Sequence, residues 1–457
     1  VTQYAKDNLE SLGLLKMDFL GLRYLTVIDD CVKAVRKSNP AFDINKIPDD
    51  DKNVYKMLSA ADSNGVFQFE SGGMKSVLSR LKPTSLEDIT AIVALYRPGP
   101  MQSIPAYIAN KHNPSKIKYK TELLRDILEV TYGCIVYQEQ VMQICRKVAG
   151  YSYGRADLVR RAMAKKKKEI MEKERNAFIY GTETNCGAVN NGVSEEVATA
   201  IFDEMSSFAT YAFNKSHAAA YALLAYQTAY LRCHYFKEYM VALMTSVLDS
   251  PDKLLGYISD LKEKGIHVLS PDINKSMHSF TAEGEGIRFG LLAIRNIGRN
   301  LVNEIIRERA VRPFTDISDF ITRMSGRELN KRAVESLIKA GAFDSLGCSR
   351  RGLISGYESL YDNIVDNRNR NLDGQMGFFD FVEENTESNP VLVNAPEFNS
   401  LQLMKLEKEA FGYYATGHPL DSFDQYIRLN GFTKISEISD SGNKGWRKGG
   451  NPCYAFF

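Results

Sequence analysis

The sequence has little that would cross a membrane, hold a zinc ion or form a disulfide framework. In its 457 residues no apolar run approaches the ~18 residues that a membrane helix needs. The opening VTQYAKDNLE lacks the apolar core of a secretory signal. The seven cysteines are scattered, and none forms a C-x-x-C pair. Because an odd, dispersed set is typical of reduced thiols, we expect a cytoplasmic protein.

Common enzyme motifs are missing as well. The chain contains no G-x-x-x-x-G-K-[ST] phosphate loop, no H-E-x-x-H, no G-x-S-x-G and no G-x-G-x-x-G. The six histidines are too widely spaced to suggest a metal cluster. The chain also begins without Met, from which we expect a fragment of a longer polypeptide. Its function must therefore be sought in other patterns.

Positive charge is concentrated in one segment, although the whole chain carries a formal net charge of only +2. Residues 146–175 contain eleven Lys or Arg against four Asp or Glu. A phosphate-rich partner would explain such a patch. The alternative is a solvated helix face, which a charge run on its own favours.

The centre of that segment reads DLVRRAMAKKKKEIMEK at 157–173. Its apolar stripe lapses across 164–169, so packing against a core does not explain the lysines. At roughly 100° per residue, four successive lysines fan around most of a helix and cannot all touch one ligand. We therefore expect one face to bind phosphates while the rest stays solvated. The candidate phosphate-binding side chains in this segment are Arg160, Arg161, Lys165 and Lys168.

Apolar residues recur at helical spacing through most of the chain. This spacing predicts helices over much of 54–250, with the strongest signal at the Ala-rich stretch 216–248, which has no Gly or Pro. Residues 266–292 are more β-like. The later helical segments are predicted at 299–309, 329–340 and about 400–412. The Asn-rich residues 362–400 are predicted to be an exposed linker. The fold class is therefore α+β and predominantly α-helical.

An aspartate lies inside an apolar run near the start of the chain, in KMDFLGL at 16–22. A carboxylate there is costly unless it is paired or binds a metal ion. Asp18 is therefore a candidate metal ligand. The alternative is an Asp at a strand edge, or one that caps the following helix.

A helix start with several polar side chains lies within YAFNKSHAAAYALLAYQTAY at 211–230. Asn214 or Ser216 is predicted to cap the Ala-rich helix. Lys215 and His217 would then lie beside free N–H groups and the positive end of the helix dipole, which attract anions. The alternative is simple capping, with His217 on the surface.

A short apolar lead, the pair Ile297-Gly298 and a basic amphipathic helix follow one another in FGLLAIRNIGRNLVNEIIRER at 289–309. This order is typical of a helix-hairpin-helix, whose tight-turn N–H groups hold a DNA phosphate without reading bases. The usual pattern has Gly where this chain has Asn296, and Asn is the next-best residue at positive φ. A second candidate follows at 329–347, and the alternative is two ordinary helical hairpins. The predicted DNA backbone-binding residues are Asn296, Gly298 and Arg299.

An isolated apolar cluster, GQMGFFDF at 374–381, lies within the predicted linker. Such clusters in polar linkers often bind in a pocket of a partner protein. The alternative is a linker end that folds back onto the body of the protein.

Taken together, these stretches resemble the α subunits of bacterial DNA polymerase III, the C-family replicative DNA polymerases. The motifs that carry the resemblance run through nearly the whole chain in family order. They include LGLLKMDFLGLR, NGVFQFES, VALYRPGP, TYGCIVYQEQVMQI, RRAMAKKK, FNKSHAAAYALLAYQTAYL, SPDIN, LIKAGAFDSLG and FGYYATGHPL.

The resemblance implies an order of domains along the chain. These are the C-terminal part of a palm (1–55), helical fingers (56–275), a tandem helix-hairpin-helix region that binds duplex DNA (276–361), a linker with a clamp-binding motif (362–400) and the lead-in to a truncated OB-fold region (401–457).

The resemblance also implies nucleotidyl transfer from a dNTP to a primer 3′-hydroxyl, with two Mg²⁺ ions held by three palm aspartates. Asp18 matches the third of these, which makes it a catalytic candidate. The first two form an Asp-x-Asp pair upstream of it, which is missing from this chain. The only local mimic is Asp49-Asp50-Asp51 after Pro48, which we interpret as a solvated turn. We therefore expect the chain to be inactive alone. The cations of 157–173, together with Lys215 and His217, would face nucleotide and template phosphates.

The linker cluster is similar to the internal sliding-clamp motif of the family. The residues that match it are Gln375, Met376, Phe378 and Phe379. The implied partners are primed template DNA, dNTPs, the β sliding clamp and other replicase subunits, with no membrane. Two other hypotheses remain open, a non-catalytic helix-hairpin-helix module for DNA binding or repair, and a clamp-tethered scaffold. Neither explains the FNKSHAAAY and KMDFLGL blocks.

Overall fold

The computed structural model describes residues 3–15, 17, 19–164, 168–209, 212–372, 395–415, 417–430, 432–434 and 453–454. Within these residues the chain forms twenty α-helices and five short β-strands, which confirms a predominantly helical α+β fold. No helix in this described part is long and apolar enough to span a membrane. The chain divides into two compact units, Val1–Ser246 and Val247–Phe457.

The first unit is built from helices. They are α1 (Lys6–Ser11), α2 (Arg23–Val35), α3 (Lys52–Ser59), α4 (Gly72–Leu81), α5 (Leu86–Leu95), α6 (Ile104–His112), α7 (Arg125–Leu128), α8 (Gln138–Ala149), α9 (Tyr153–Ala164), α10 (Lys168–Tyr180), α11 (Glu195–Ala209), α12 (Lys215–His234) and α13 (Phe236–Thr245).

The long helix α12 packs against α2, α3, α5 and α13. One of its faces carries Ala218, Ala222, Ala225 and Ala229, none of which has exposed surface. Small side chains at helical spacing let the neighbouring backbones approach closely, so the Ala-rich stretch serves both helix formation and packing. The helix predicted from its composition is confirmed.

The predicted helical stretch 216–248 is nevertheless interrupted once. Tyr235 separates α12 from α13 because its φ of −133° and ψ of 50° are not helical. Its ring packs against Phe42, with ring centroids 4.9 Å apart. Phe42 is distant in the sequence, so local composition gave no sign of the interruption, and a continuous helix is wrong here.

A core cluster joins α8, α9, α10 and α11. α8 contributes Val141, Ile144 and Val148, which recur at helical spacing and have no exposed surface. Phe178 of α10 and Phe202 of α11 lie in the same cluster, with ring centroids 5.5 Å apart. Because this core holds α8 against α9, it fixes the direction of the basic end of α9.

The second unit combines further helices with short strands. The helices are α14 (Pro251–Glu263), α15 (Arg299–Val311), α16 (Ile317–Met324), α17 (Lys331–Lys339), α18 (Arg350–Leu372), α19 (Ser400–Phe411) and α20 (Asp424–Leu429). The strands are β1 (Val268–Leu269), β2 (Thr281–Glu283), β3 (Gly286–Arg288), β4 (Thr433–Lys434) and β5 (Cys453–Tyr454).

The strands form two small sheets. In the first, of order β1-β3-β2, the central β3 is parallel to β1 and antiparallel to β2. Ile287 of β3 lies opposite both Val268 and Ala282 and has no exposed surface. The β-like stretch predicted at 266–292 is therefore confirmed. In the second sheet, β4 pairs in parallel with β5.

α18 extends into the predicted linker. Residues 362–372 of the predicted exposed linker are the last turns of this helix, and the side chains described among them are exposed or half-buried. Along its length α18 packs against α16 and α17. The Tyr361 hydroxyl donates to the Leu329 carbonyl at 3.0 Å. The buried side chains that hold α18 are Leu353, Tyr357 and Leu360. Residues 373–394 of the predicted linker lie outside the described residues. The final predicted helix is confirmed as α19.

Candidate nucleic-acid interface

The starts of α8 and α12 lie side by side in the first unit. Tyr137, just before α8, forms an isolated parallel bridge with Phe213, just before α12. The Gln138 N–H donates to the Phe213 carbonyl at 2.9 Å. Two helix N-termini thus lie at one place, where their free N–H groups and dipoles attract negative charge.

Asn214 caps α12, which was one of the two predicted alternatives. Its Oδ1 accepts from the His217 N–H at 2.8 Å, while Ser216 lies within the first turn of the helix. Asn214 Nδ2 donates to Glu139 Oε1 at 2.7 Å, and the Lys215 N–H donates to Glu139 Oε2 at 3.0 Å. A carboxylate of the chain itself therefore occupies part of the predicted anion-binding helix start.

The side chains of Lys215 and His217 have partners of different kinds. Lys215 Nζ lies 3.2 Å from Glu87 Oε1 and 5.4 Å from the centroid of the Tyr137 ring. His217 is exposed, and its ring stacks on Tyr221 with centroids 4.4 Å apart. An exposed ion pair contributes at most about 1 kcal/mol. An incoming anion can therefore compete with Glu87 for the Lys215 ammonium group.

On α9, one carboxylate holds both predicted arginines. Asp157 Oδ1 accepts from Arg160 Nε at 3.0 Å and from Nη2 at 2.7 Å, while Oδ2 lies 2.7 Å from Arg161 Nη2. The hydrogen bond from Arg160 holds the pKa of the Asp157 carboxyl below its usual value, so this group is ionised at neutral pH. The Arg161 side chain is 64% exposed and that of Arg160 only 17%. Arg161 is therefore the more accessible cation.

Arg160 connects α9 to the start of α8. Its Nη1 donates to Gln138 Oε1 at 3.2 Å, and Gln138 Nε2 donates to the Ala212 carbonyl at 2.9 Å. The next residue, Glu139, holds the start of α12. The structure thus brings the predicted cations of α9 and α12 together around the first turn of α8.

The described cations of this cluster are compensated by carboxylates. Asp157 faces the two arginines, Glu87 faces the Lys215 ammonium group, and Glu139 accepts from the helix start. A phosphate would therefore have to displace these carboxylates from the cations, or share the cations with them.

Two other predicted cations are not seen in this arrangement. Lys165 lies outside the described residues, as does the side chain of Lys168, whose backbone begins α10.

Sequence reasoning missed the groups that hold these cations. Asp157 precedes Arg160 and Arg161 by three and four residues, and this is the spacing at which neighbours on a helix pair. That partner could have been found. Gln138 and Glu139 lie on another helix, and no spacing in the sequence links them to α9 or α12.

In the second unit, the turn before α15 has the predicted geometry. Asn296 has a φ of 63°, which confirms that Asn takes a left-handed position where the usual pattern has Gly. Gly298 is the N-cap of α15 with a φ of −91°, and Arg299 begins the helix. Asn296 Nδ2 donates to Ser336 Oγ of α17 at 3.0 Å. This bond ties the turn of the first hairpin to the second hairpin.

Both hairpin turns contribute to one concave surface. It is lined by Asn296, Gly298, Arg299, Asn300, Leu301, Glu328 and Asn330. Arg299 and Arg332 are exposed in the first turns of α15 and α17, and neither makes an ion pair with the residues that the structure describes. Arg327 instead pairs with Glu304 and Glu308. Sequence reasoning missed Arg332, although its place at the start of the second hairpin helix was the available signal.

The described residues do not build a metal site. Among them, no group of three or more His, Cys, Asp or Glu side chains could hold a metal ion. Asp18 lies outside the described residues. The predicted clamp-binding residues Gln375, Met376, Phe378 and Phe379 also lie outside them. These assignments stay predictions.

Two family models match segments of the chain, one in each unit. Residues 24–186 match the bacterial DNA polymerase III alpha subunit finger domain, and residues 265–353 match a helix-hairpin-helix motif. The chain is 46% identical over 447 residues to DNA polymerase III subunit alpha of Thermus aquaticus. The matched region covers 96% of this chain and 36% of the relative.

Two further relatives have the same name and similar coverage. Over 440 residues the chain is 42% identical to the subunit of Bacillus subtilis, covering 95% of this chain and 38% of the relative. Over 450 residues it is 42% identical to that of Borreliella burgdorferi, covering 96% and 38%. The chain thus spans a little over a third of the length of the curated relatives it matches.

Proposed function

We propose, since this chain belongs to the family of bacterial DNA polymerase III α subunits, that it forms the nucleotide- and duplex-binding part of a DNA-directed DNA polymerase of the bacterial replicase. The observation that carries the proposal is the similarity to these subunits along 96% of the chain. A helix-hairpin-helix repair module would leave the finger-domain match at 24–186 unexplained. The same match argues against a clamp-tethered scaffold.

The role proposed for each segment of the chain follows the order of domains expected from the sequence. Residues 1–55 complete a palm, 56–275 form the fingers and 276–361 hold duplex DNA. Residues 362–400 carry the clamp-binding motif and 401–457 lead toward an OB-fold. The finger-domain match supports the second assignment over 56–186, although it begins at residue 24, inside the segment assigned to the palm. The helix-hairpin-helix match at 265–353 supports the third.

In the proposed reaction the primer 3′-hydroxyl attacks the α-phosphate of a dNTP, and pyrophosphate leaves. Negative charge grows on the phosphates during this step, so fixed cations that face them lower the barrier. The cations proposed for this task are Arg160, Arg161, Lys165, Lys168, Lys215 and His217. Support comes from the clustering of α9 and α12 around the start of α8 and from the exposure of Arg161 and His217.

The tandem hairpins are proposed to hold the duplex by its phosphates. Positive φ at Asn296 and the exposed Arg299 at a helix start support this role, because such turns present N–H groups and charge without reading bases. The sliding clamp, bound through the motif at 375–379, and other replicase subunits complete the proposed partners.

Two Mg²⁺ ions belong to the proposal for the whole subunit, with Asp18 as one ligand. The described residues contain no group of side chains that fits a metal ion. We therefore assign no metal-dependent step of the reaction to these residues.

A chimaera tests the proposal. In the Thermus aquaticus subunit, the segment that aligns with this chain is replaced by the chain, and nucleotide incorporation on a primed template is measured. We expect the chimaera to incorporate nucleotides, and the same chimaera with Lys215→Ala and Arg161→Ala to incorporate far fewer. A chimaera with Glu196→Gln, which alters an exposed residue of α11, serves as the control.

Two outcomes would count against the proposal. One is a folded chimaera that binds primed DNA but incorporates no nucleotide. The other is incorporation by the 457-residue chain alone, since that result would contradict the role assigned to the missing aspartates.

A further inference from the structure

We propose that Gln138 and Glu139, the first two residues of α8, are positioning residues that hold the cations of α9 and α12 in place relative to one another for the binding of a polyphosphate. The inference rests on the proposed function in one respect, because phosphates are taken as the ligand of those cations. It assigns roles to two side chains that carry no positive charge.

Glu139 holds the start of α12 through two different donors. Its Oε1 accepts from Asn214 Nδ2 and its Oε2 accepts from the Lys215 N–H, at 2.7 and 3.0 Å. The Asn214 amide cannot rotate to suit a different partner without cost, because its Oδ1 caps the His217 N–H. Both carboxylate oxygens are therefore needed to keep the α12 start, and the Lys215 backbone with it, in this place.

Gln138 holds α9 and the entry to α12 at the same time. Its Oε1 accepts from Arg160 Nη1 at 3.2 Å, and its Nε2 donates to the Ala212 carbonyl at 2.9 Å. Only a side chain with an acceptor and a donor on the same group can make both bonds. Gln138 thus joins the half-buried guanidinium of Arg160 to the segment that leads into Asn214.

The backbone around these two residues is held by buried hydrogen bonds and by the core. Gln140 is buried, its Oε1 accepts from the Val136 and Tyr137 N–H groups at 2.8 and 2.9 Å, and its Nε2 donates to the Ile127 carbonyl at 3.1 Å. The next turn of α8 is anchored in the core by Val141, which has no exposed surface. Because Gln140 and Val141 hold the backbone of this turn in place, the side chains of Gln138 and Glu139 can set the positions of α9 and α12 relative to one another.

A positioning role and a purely electrostatic role of Glu139 predict opposite changes in anion affinity when its side chain is removed. Glu139 is negative and lies beside predicted phosphate-binding cations, so by charge alone its removal should strengthen the binding of an anion. If Glu139 instead holds the α12 start in place, its removal should weaken that binding although the net charge becomes more positive.

The test uses the whole chain and inorganic tripolyphosphate as the probe, with affinity measured by isothermal titration calorimetry at low salt. Glu139→Gln keeps the length but loses the charge and one of the two acceptors. Glu139→Asp keeps the charge, but its shorter side chain cannot reach both donors. Each is expected to bind about tenfold more weakly, the effect of losing one hydrogen bond to a charged group. Gln138→Leu, which changes no charge, is expected to weaken binding in the same direction.

Glu196→Gln is the matched control, because it makes the same charge change at an exposed position of α11. We expect its affinity to equal that of the unaltered chain. Thermal unfolding of every variant separates weaker binding from loss of the fold, and binding is compared only among chains that unfold cooperatively above the temperature of the titration.

One contrary result is that Glu139→Gln binds tripolyphosphate as tightly as the unaltered chain or more tightly, while Glu139→Asp binds like the unaltered chain. That result would overturn the positioning role, because it would mean that Glu139 acts only by repelling the anion. Failure of the unaltered chain to bind tripolyphosphate would also overturn the inference. The chimaera assay reports on polymerase function independently, so the two failures are distinguishable.

Discussion

Arg160 and Arg161 are adjacent in the sequence but have different surroundings. Arg160 is half-buried, binds Asp157 through two nitrogens and reaches Gln138 through a third. Arg161 shares only the other oxygen of Asp157 and is mostly exposed. A cation must be free to change partners in order to bind a phosphate, so the two arginines should contribute differently to binding and to stability.

We predict that Arg161→Ala lowers the affinity of the chain for tripolyphosphate by about tenfold, the worth of one charge-assisted hydrogen bond. Its unfolding free energy should change by less than about 0.5 kcal/mol, since the pair with Asp157 is exposed. Arg160→Ala should instead lower the unfolding free energy by about 1 kcal/mol, because Gln138 loses a partner and the link between α9 and α8 is broken. Urea unfolding and calorimetric titration measure the two effects.

Arg175→Ala is a suitable control for this pair of variants. Arg175 pairs with Asp203 on the neighbouring helix and is not among the predicted phosphate-binding residues. Equal losses of affinity in Arg160→Ala and Arg161→Ala, with neither destabilised, would refute the division of roles.

What the sequence could reveal at the residue scale depended on how local each feature is. The left-handed conformation of Asn296 was predictable because it depends on the residue itself and on the turn around it. The Asn214 cap was predictable for the same reason. The carboxylate of Glu139 lies on a different helix from the groups it binds, so no local rule could have found it.

At the scale of elements, α5 and α6 are joined by a buried ion pair. Asp88, which is 1% exposed, accepts from Lys111 Nζ, from the Thr84 N–H at 2.8 Å and from the Tyr132 hydroxyl at 2.9 Å. Burial by itself would raise the pKa of Asp88. The bond from Lys111 and the other two donors outweigh it and hold that pKa below its usual value.

This arrangement predicts how stability changes with pH. A carboxyl group whose pKa is lowered by folding stabilises the folded state fully above its unfolded pKa of about 3.9, and that contribution is lost as the pH falls through the lower folded value. We therefore expect the unfolding free energy to decline below about pH 4. Asp88→Asn should remove that part of the decline, and at neutral pH it should cost about 3 kcal/mol because Lys111 is left buried without its partner.

Urea unfolding at a series of pH values measures this effect. Asp29→Asn is the control, since Asp29 makes an exposed pair with Lys33 on α2. An acid-induced decline as steep in Asp88→Asn as in the unaltered chain would show that other carboxyl groups cause it.

Element boundaries were less predictable than element types. Helical spacing indicated α12, α15, α17 and α19 correctly, because each has a continuous apolar stripe or an Ala-rich run. It missed the interruption at Tyr235, whose backbone is not helical and whose ring packs against Phe42. It also missed the last turns of α18, where Asn-rich composition indicated a linker but the chain is helical and Arg368 donates to Ser325 Oγ at 3.3 Å. In both cases the contact partner is distant in the sequence.

For the whole molecule, the distribution of charge matters more than its sum. The formal net charge is only +2, yet exposed arginines lie in the first turns of the two hairpin helices, and the predicted phosphate-binding residues Arg161, Lys215 and His217 lie in the other unit. Contacts of this kind are with phosphates and not with bases, so binding of primed DNA should be independent of sequence and should weaken steeply with salt.

We predict that the logarithm of the affinity for a primed duplex falls linearly with the logarithm of salt concentration, by roughly 0.9 for each phosphate contacted. Arg299→Ala and Arg332→Ala should each make this slope shallower by about one, because each removes one cation at a hairpin turn. Arg307→Ala, on the same helix as Arg299 but paired with Glu304, should leave the slope unchanged. Fluorescence anisotropy with two unrelated duplex sequences measures slope and sequence dependence together. A slope that Arg299→Ala does not alter, or a strong preference for one duplex, would show that the hairpin turns are not the phosphate-binding surface.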